Sequence, residues 1–167
     1  LYDAPEAVPE RGFDLVFVTW GAIGWLPDIR GWARVVAGFL RPGGRLLLVE
    51  GHPAAMVFDD EAPPSADGMP GFFVPYFDPA ALATEEADYA NPAAPLAHRR
   101  TYTWLHPLGA VASALVEAGL GLVSLREHDA VPWRMFARLV GDDAGLYRWP
   151  DRPWLPLSYA LVAEKRG

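Results

Sequence analysis

Four histidines, His52, His98, His106 and His128, are the side chains best suited to proton transfer near neutral pH, and the chain has no cysteine to add thiolate chemistry or a disulfide. No two of them have metal-pair spacing such as His-Glu-x-x-His, so no metal centre is expected. No Gly-x-Ser-x-Gly elbow is present, so serine, histidine and aspartate do not combine into a hydrolase set. His106 is the first catalytic candidate. It follows an aromatic stretch holding Tyr102 and Trp104 and precedes Pro107. There an imidazole either takes a proton from an attacking oxygen or nitrogen or caps the next helix. His52 is the second candidate, and either takes part in chemistry or only shapes a crevice. The aromatics Tyr76, Tyr89, Tyr102, Trp104 and Trp133 can wall an apolar substrate pocket or belong to the core.

The elements that must position these groups follow from hydrophobic periodicity. Phe13-Asp14-Leu15-Val16-Phe17-Val18 reads as a buried strand. Pro27-Asp28 starts a helix with Asp28 as N-cap, and Ile29, Trp32, Val35, Val36, Phe39 and Leu40 share its apolar face. Pro42-Gly43-Gly44 stops that helix before a second strand at 45–50. Strand, helix and strand make a βαβ unit with parallel strands. In such a sheet Thr19, Trp20 and Gly21, and Gly51, His52 and Pro53, stand at the strand ends that line a ligand crevice. Residues 53–100 are irregular, as a lid or a tolerated insertion would be, with an edge strand or covering segment at 72–77. A short strand near 100–104, a helix opened by Pro107, a strand at 121–127, a short helix from Trp133 to Val140 and an antiparallel strand at 157–164 near the sheet edge complete the α/β pattern.

With 167 residues, 51% of them apolar and 13% aromatic, the chain can bury the core of one domain. The net charge of −7 offers no field to attract phosphates, so nucleic acid is not an expected partner. No apolar run approaches the roughly 20 residues of a spanning helix and no signal peptide is visible, so no membrane contact and a cytoplasmic setting are expected. Leu1 rather than methionine at the start suggests a truncated sequence.

Phe13-Asp14-Leu15-Val16, followed at this distance by Leu40-Arg41-Pro42-Gly43-Gly44-Arg45-Leu46, resembles the class I S-adenosylmethionine-dependent methyltransferases. There the segments correspond to the fourth strand, the next helix and the fifth strand. Thr19-Trp20-Gly21-Ala22, Val49-Glu50-Gly51-His52-Pro53, Trp104-Leu105-His106-Pro107 and Pro153-Trp154-Leu155-Pro156 extend the likeness toward a bacterial small-molecule subgroup. The resemblance implies a partial Rossmann-like sheet, mostly parallel with one antiparallel strand. It implies one domain over 1–167, the C-terminal part of a methyltransferase domain with a lid-like insertion at about 53–100. It implies S-adenosylmethionine as cofactor, beside Leu1 and Tyr2, and a small-molecule substrate near His106; with the strand-end and aromatic readings above, Thr19, Trp20 and Gly21 are expected at the cofactor, Tyr76, Tyr102 and Trp104 at the substrate, and His106 and His52 as catalytic candidates. The family's Gly-x-Gly-x-Gly turn and the acidic residues after its second and third strands are absent, so the N-terminal strands are missing from this chain. The edge at 13–18 is then expected to be covered by that missing segment or by a second copy in a homodimer. A non-catalytic interaction or remnant domain pairing through this edge is the rival reading. A different doubly wound nucleotide-binding enzyme is disfavoured, since no phosphate-binding glycine loop is present.

Overall fold

The computed structural model describes residues 1–85 and 98–167. Its main sheet has four strands: β1 (Phe13–Thr19), β2 (Leu40–Gly51), β3 (Leu120–His128) and β4 (Ser158–Lys165), in the order β1-β2-β4-β3. β1 and β2 are parallel, and β4 is antiparallel to both β2 and β3, so β3 runs in the same direction as β2. Helix α1 (Ile29–Phe39) joins β1 to β2, and helix α2 (Leu108–Glu117) precedes β3.

The antiparallel strand was expected near the edge; it lies inside the sheet. The reason is in its composition. Tyr159, Leu161 and Ala163 are buried on one face, while Ala160 and Val162 leave the other face apolar as well. With no proline and no charge before Glu164, both of its edges carry a ladder, one to β2 and one to β3.

The start of β2 also differs from expectation. α1 ends at Phe39 and the extended strand begins at once, so Pro42-Gly43-Gly44 lies within β2. The register steps from Phe13↔Leu40 to Leu15↔Arg45, which bulges residues 41–44 against Asp14. Gly43 has φ 74°, and a side chain at Gly44 would stand 2.7 Å from the Phe13 carbonyl oxygen. Proline and glycine here build a bulge rather than only ending a helix.

Asp28 is the N-cap of α1, as its position suggests: its Oδ1 accepts from the Gly31 backbone N–H at 2.8 Å. Replacing Asp28 with alanine is expected to cost about 1 kcal/mol in a denaturant titration, by orphaning one helix N–H group. An unchanged midpoint would show the cap to be dispensable.

α1 and α2 cover the same face of the sheet. Ile29, Trp32, Ala33, Val36 and Ala37 of α1 and Val111, Ala114 and Leu115 of α2 pack on Leu46, Leu48, Tyr159, Leu161 and Ala163. The opposite face carries Leu15, Phe17, Leu47, Val49, Ala160 and Val162, and no helix among the described residues lies over it. Leu15 and Phe17 are 55% and 59% exposed.

A second cluster joins Ala55 to Val131, Phe136, Leu139, Trp149 and Leu157. The helix expected between Trp133 and Val140 is not formed. Met135 N–H bonds to Trp133 O and Leu139 N–H to Phe136 O, giving separate turns, and Val140–Gly141 pairs with Tyr147–Arg148 as a small sheet. The apolar spacing is satisfied by turns, and sheet pairing takes the last two residues. In the 53–100 region only Gly71–Phe72 of the anticipated 72–77 strand is extended, paired with Phe58–Asp59. The expected strand near 100–104 is Arg100–Thr103, paired with Leu82–Glu85.

Candidate functional site

The site grows from the C-terminal ends of β1 and β2. After Thr19 the chain turns through Trp20, at φ 29°, and Gly21, at φ 80°. A bulky residue with positive φ is uncommon and marks a strained backbone, of the kind found at binding sites. Trp20 is held there by its N–H bond to Val49 O and by an edge contact with the Trp133 ring at 5.2 Å. Nothing lies within 4 Å of where a side chain on Gly21 would project, so this turn faces open space.

Glu50 ties the two strand ends together. It is 4% exposed, on the helix-covered face beside Tyr159. Its Oε1 accepts from the backbone N–H groups of Gly21 and Gly51, and its Oε2 has no partner among the described residues. Burial, and then the nearby Glu50 charge, raise the Tyr159 phenol well above its ordinary value, so its hydroxyl stays protonated.

Past these strand ends, residues 23–25 form one 3₁₀ turn, and the Trp104 N–H bonds to Gly24 O at 2.8 Å. That bond lays Trp104, Leu105 and His106 alongside the turn. Residues 74–82 close the other side. Between them is a cavity of about 340 Å³ lined mainly by apolar groups, among them Trp25, Met56, Val74, Leu82, Trp104 and Leu105. A smaller cavity of about 40 Å³ shares Gly21, Gly24, Met56, Trp104 and Leu105 with it and adds Glu50, His106 and Tyr159. A chamber of this size at the carboxyl ends of parallel strands can hold a small organic molecule.

His106 lines the smaller cavity, with Nε2 2.8 Å from the Leu26 carbonyl oxygen. A carbonyl only accepts, so Nε2 carries a hydrogen, which in the neutral form of the ring leaves the lone pair on Nδ1. That nitrogen is suited to take a proton. The helix does not use this imidazole as a cap: Pro107 is the N-cap residue and makes no side-chain bond. His52 is placed otherwise. Its Nε2 bonds to Glu127 at 2.8 Å and its Nδ1 accepts from the Ala54 N–H at 3.1 Å, so both nitrogens are engaged. Burial pushes the His52 imidazole below its ordinary value, against the opposing pull of Glu127. In the unfolded chain the ring takes a proton near pH 6.5, whereas the folded chain resists it. The stability linked to His52 is therefore present above about pH 6.5 and is lost as the pH falls below it. Melting curves at pH 8 and 5.5 are expected to show a drop in Tm that shrinks in the His52→Gln variant; an equal drop in both proteins would place the acid sensitivity elsewhere.

Of the residues assigned to the substrate, Trp104 lines both cavities. Tyr76 instead accepts the Leu108 N–H through its hydroxyl, at 3.1 Å, and Tyr102 is 48% exposed on the hairpin strand. Neither lines the chamber, and Tyr89 lies outside the described residues. Of the residues assigned to the cofactor, Trp20 and Gly21 form the open turn and Thr19 pairs with Val49. Leu1 is 59% exposed, and the Tyr2 hydroxyl bonds to the backbone of Asp28 at the start of α1. Sequence reasoning missed Glu50, Trp25, Met56 and Leu82. Glu50 carried a signal: a carboxylate closing an otherwise apolar strand, directly before a glycine. Among the described residues, no three histidine, aspartate or glutamate side chains lie together in a way that could hold a metal ion.

Neither a protein-family model nor a curated protein matches the sequence. Solved structures do match the fold. A protein of Listeria monocytogenes described as an S-adenosylmethionine-dependent methyltransferase superposes with a TM-score of 0.61 at 13% identity, over 95% of this chain and 63% of that one. An S-adenosylmethionine-dependent methyltransferase of Mesorhizobium loti gives 0.59 at 16% identity, over 94% and 64%. This chain has the class I methyltransferase fold. It spans under two thirds of the length of those two methyltransferases. A third methyltransferase, from Clostridium acetobutylicum, gives 0.52 at 9% identity, over 94% of this chain and 60% of its own. In the methyltransferase fold seen here, the Trp20–Gly21 turn, Glu50 and the apolar chamber all stand at one end of the sheet. No helix among the described residues is long and apolar enough to cross a membrane.

Proposed function

We propose that this chain is the acceptor-binding part of an S-adenosylmethionine-dependent methyltransferase acting on a small molecule. The observation that carries the reading is the apolar chamber of about 340 Å³ beside the strained Trp20–Gly21 turn, within a methyltransferase fold. Bound at this end of the sheet, S-adenosylmethionine supplies an electrophilic methyl group on a sulfonium. The residues present fit one wall of its site: the open backbone of Trp20 and Gly21, with Tyr2 fixed at the start of α1. They do not include the glycine-rich turn or the acidic contacts that would hold the rest.

The residues of this chain then have three tasks. Trp25, Met56, Leu82 and Trp104 enclose the acceptor and exclude water, which suits a displacement that depends on alignment. His106 takes a proton at Nδ1 from the attacking group, while its Nε2–H bond to Leu26 fixes the ring. Glu50 holds the turn after β1 against the end of β2. His52 supports this arrangement structurally, because neither of its nitrogens is free.

Calorimetric titration of the 167-residue chain with S-adenosylmethionine is expected to give weak binding, with Kd above about 100 μM. Micromolar affinity would show that one wall suffices. Methyl transfer by the full-length gene product, followed as S-adenosylhomocysteine release with a panel of small amines and alcohols, tests the function itself. Absence of both cofactor binding and turnover in that product would favour the non-catalytic reading, for which the exposed β1 edge speaks.

A further inference from the structure

The two oxygens of Glu50 have unlike surroundings. Oε1 is saturated by the N–H groups of Gly21 and Gly51, whereas Oε2 is buried without a partner among the described residues. None of the ion pairs formed by the described residues includes Glu50. A buried carboxylate with one idle oxygen and no compensating cation is costly to maintain, and structures keep such groups where a ligand completes them. Glu50 lines the smaller cavity, whose volume of about 40 Å³ admits one small polar head; a water molecule takes up about 30 Å³. The larger chamber, sharing walls with it, offers about 340 Å³ of mainly apolar space for a body.

We infer that this crevice binds a small molecule with an apolar, ring-sized body and a terminal ammonium group, the ammonium pairing with the Glu50 carboxylate that lines the smaller cavity. An ammonium supplies both the missing donor and the missing opposite charge; a hydroxyl supplies only the donor, and a carboxylate or phosphate is repelled. Tyr159 does not compete with the ligand as a second anion, since its phenol stays protonated. Calling this molecule the methyl acceptor rests on the function proposed above; the binding chemistry does not.

Binding is read from the fluorescence of Trp25 and Trp104, which line the chamber, using three probes of similar size: 2-phenylethylammonium, 2-phenylethanol and 3-phenylpropionate. Wild-type protein is expected to bind the ammonium about ten- to a hundredfold more tightly than the alcohol, and the propionate least. Glu50→Gln keeps an oxygen for Gly21 and Gly51 but replaces the idle oxygen with a donor. In that variant the ammonium is expected to fall to within about threefold of the alcohol, whose own affinity stays unchanged. Glu117→Gln, which removes the same charge from a side chain 53% exposed at the end of α2, is expected to keep the preference and so excludes general charge attraction. Equal binding of ammonium and alcohol to the wild type, binding of neither, or unchanged ammonium affinity in Glu50→Gln overturns the inference. If Glu50→Gln fails to fold, the ranking of the three probes on the wild type in 0.5 M salt still decides it. None of these measurements uses S-adenosylmethionine. Ammonium preference without cofactor binding or turnover would overturn the methyltransferase reading alone, and turnover without that preference would overturn this inference alone.

Discussion

Replacing Phe17 with lysine is expected to turn the isolated 167-residue chain from a self-associating species into a monomer. β1 is an edge strand among the described residues, bonded only to β2, so its outer N–H and C=O groups are open to another chain. Its side chains compound this. Phe13, Leu15 and Phe17 are 42%, 55% and 59% exposed, and Leu15 and Phe17 continue across Leu47, Val49 and Val162 as an apolar face that neither helix covers. Burying one such side chain is worth about 1.5–3 kcal/mol, so removing Phe17 from an interface weakens association roughly ten- to a hundredfold. Lysine also blunts the edge by charge. The helix-packed core lies on the other face and is untouched. Light scattering after size exclusion at about 100 μM distinguishes the two proteins; a wild-type chain that is already monomeric there would contradict the argument.

The largest loss of stability is expected from Trp32→Ala. Trp32 is 3% exposed at the centre of the contact between α1, α2 and the sheet. Truncating a buried tryptophan costs about 3–5 kcal/mol through lost transfer energy and the cavity left behind. A domain is stable by only about 5–15 kcal/mol, so this variant is expected to be partly unfolded at 37 °C. Arg34→Ala, two positions along the same helix with its side chain 67% exposed and a 3.5 Å pair to Asp28, is expected to change stability by about 0.5 kcal/mol or less. Denaturant titrations of both give the comparison, and a cost below about 1 kcal/mol for Trp32→Ala would mean the core repacks around the gap.

The contrast between these residues shows what periodicity carries. Trp32 was legible as core because Ile29, Trp32 and Val36 recur at helical spacing, and Asp28 was legible as a cap because a short acidic residue stood just before them. Parallel pairing of the strands around α1 followed from the length of the crossover. The inward position of β4 was not seen: its order in the sheet depends on which neighbours compete for its two edges. The segment from Trp133 to Val140 failed for another reason, since turns and a short helix bury the same spacing of three. Of the residues singled out by local signals, Gly21, Trp104 and His106 line the two cavities and Trp20 stands in the strained turn beside them. The hydroxyl of Tyr76 is committed to the Leu108 N–H, and the residues that line the chamber come from segments far apart in the chain, a convergence that no local pattern encodes.

The place of β4 between β2 and β3 also constrains the order of assembly during synthesis. β2 is made early and β3 much later, and the two do not pair with each other; among the described residues β4, which follows both, is the strand that joins them. Until β4 is made, β3 has no strand of this sheet to pair with, whereas β1, β2 and α1 can already pack around Leu46 and Leu48. The ion pair between Arg45 and Glu164, 119 positions apart, measures how non-local that closing step is. Loop closure over such a span is slow compared with local helix formation, so the nascent chain passes through a stage in which the second edge of β2 is unpaired before β4 arrives. Chaperone dependence in the cell would then track how quickly β4 is delivered rather than how stable the finished sheet is.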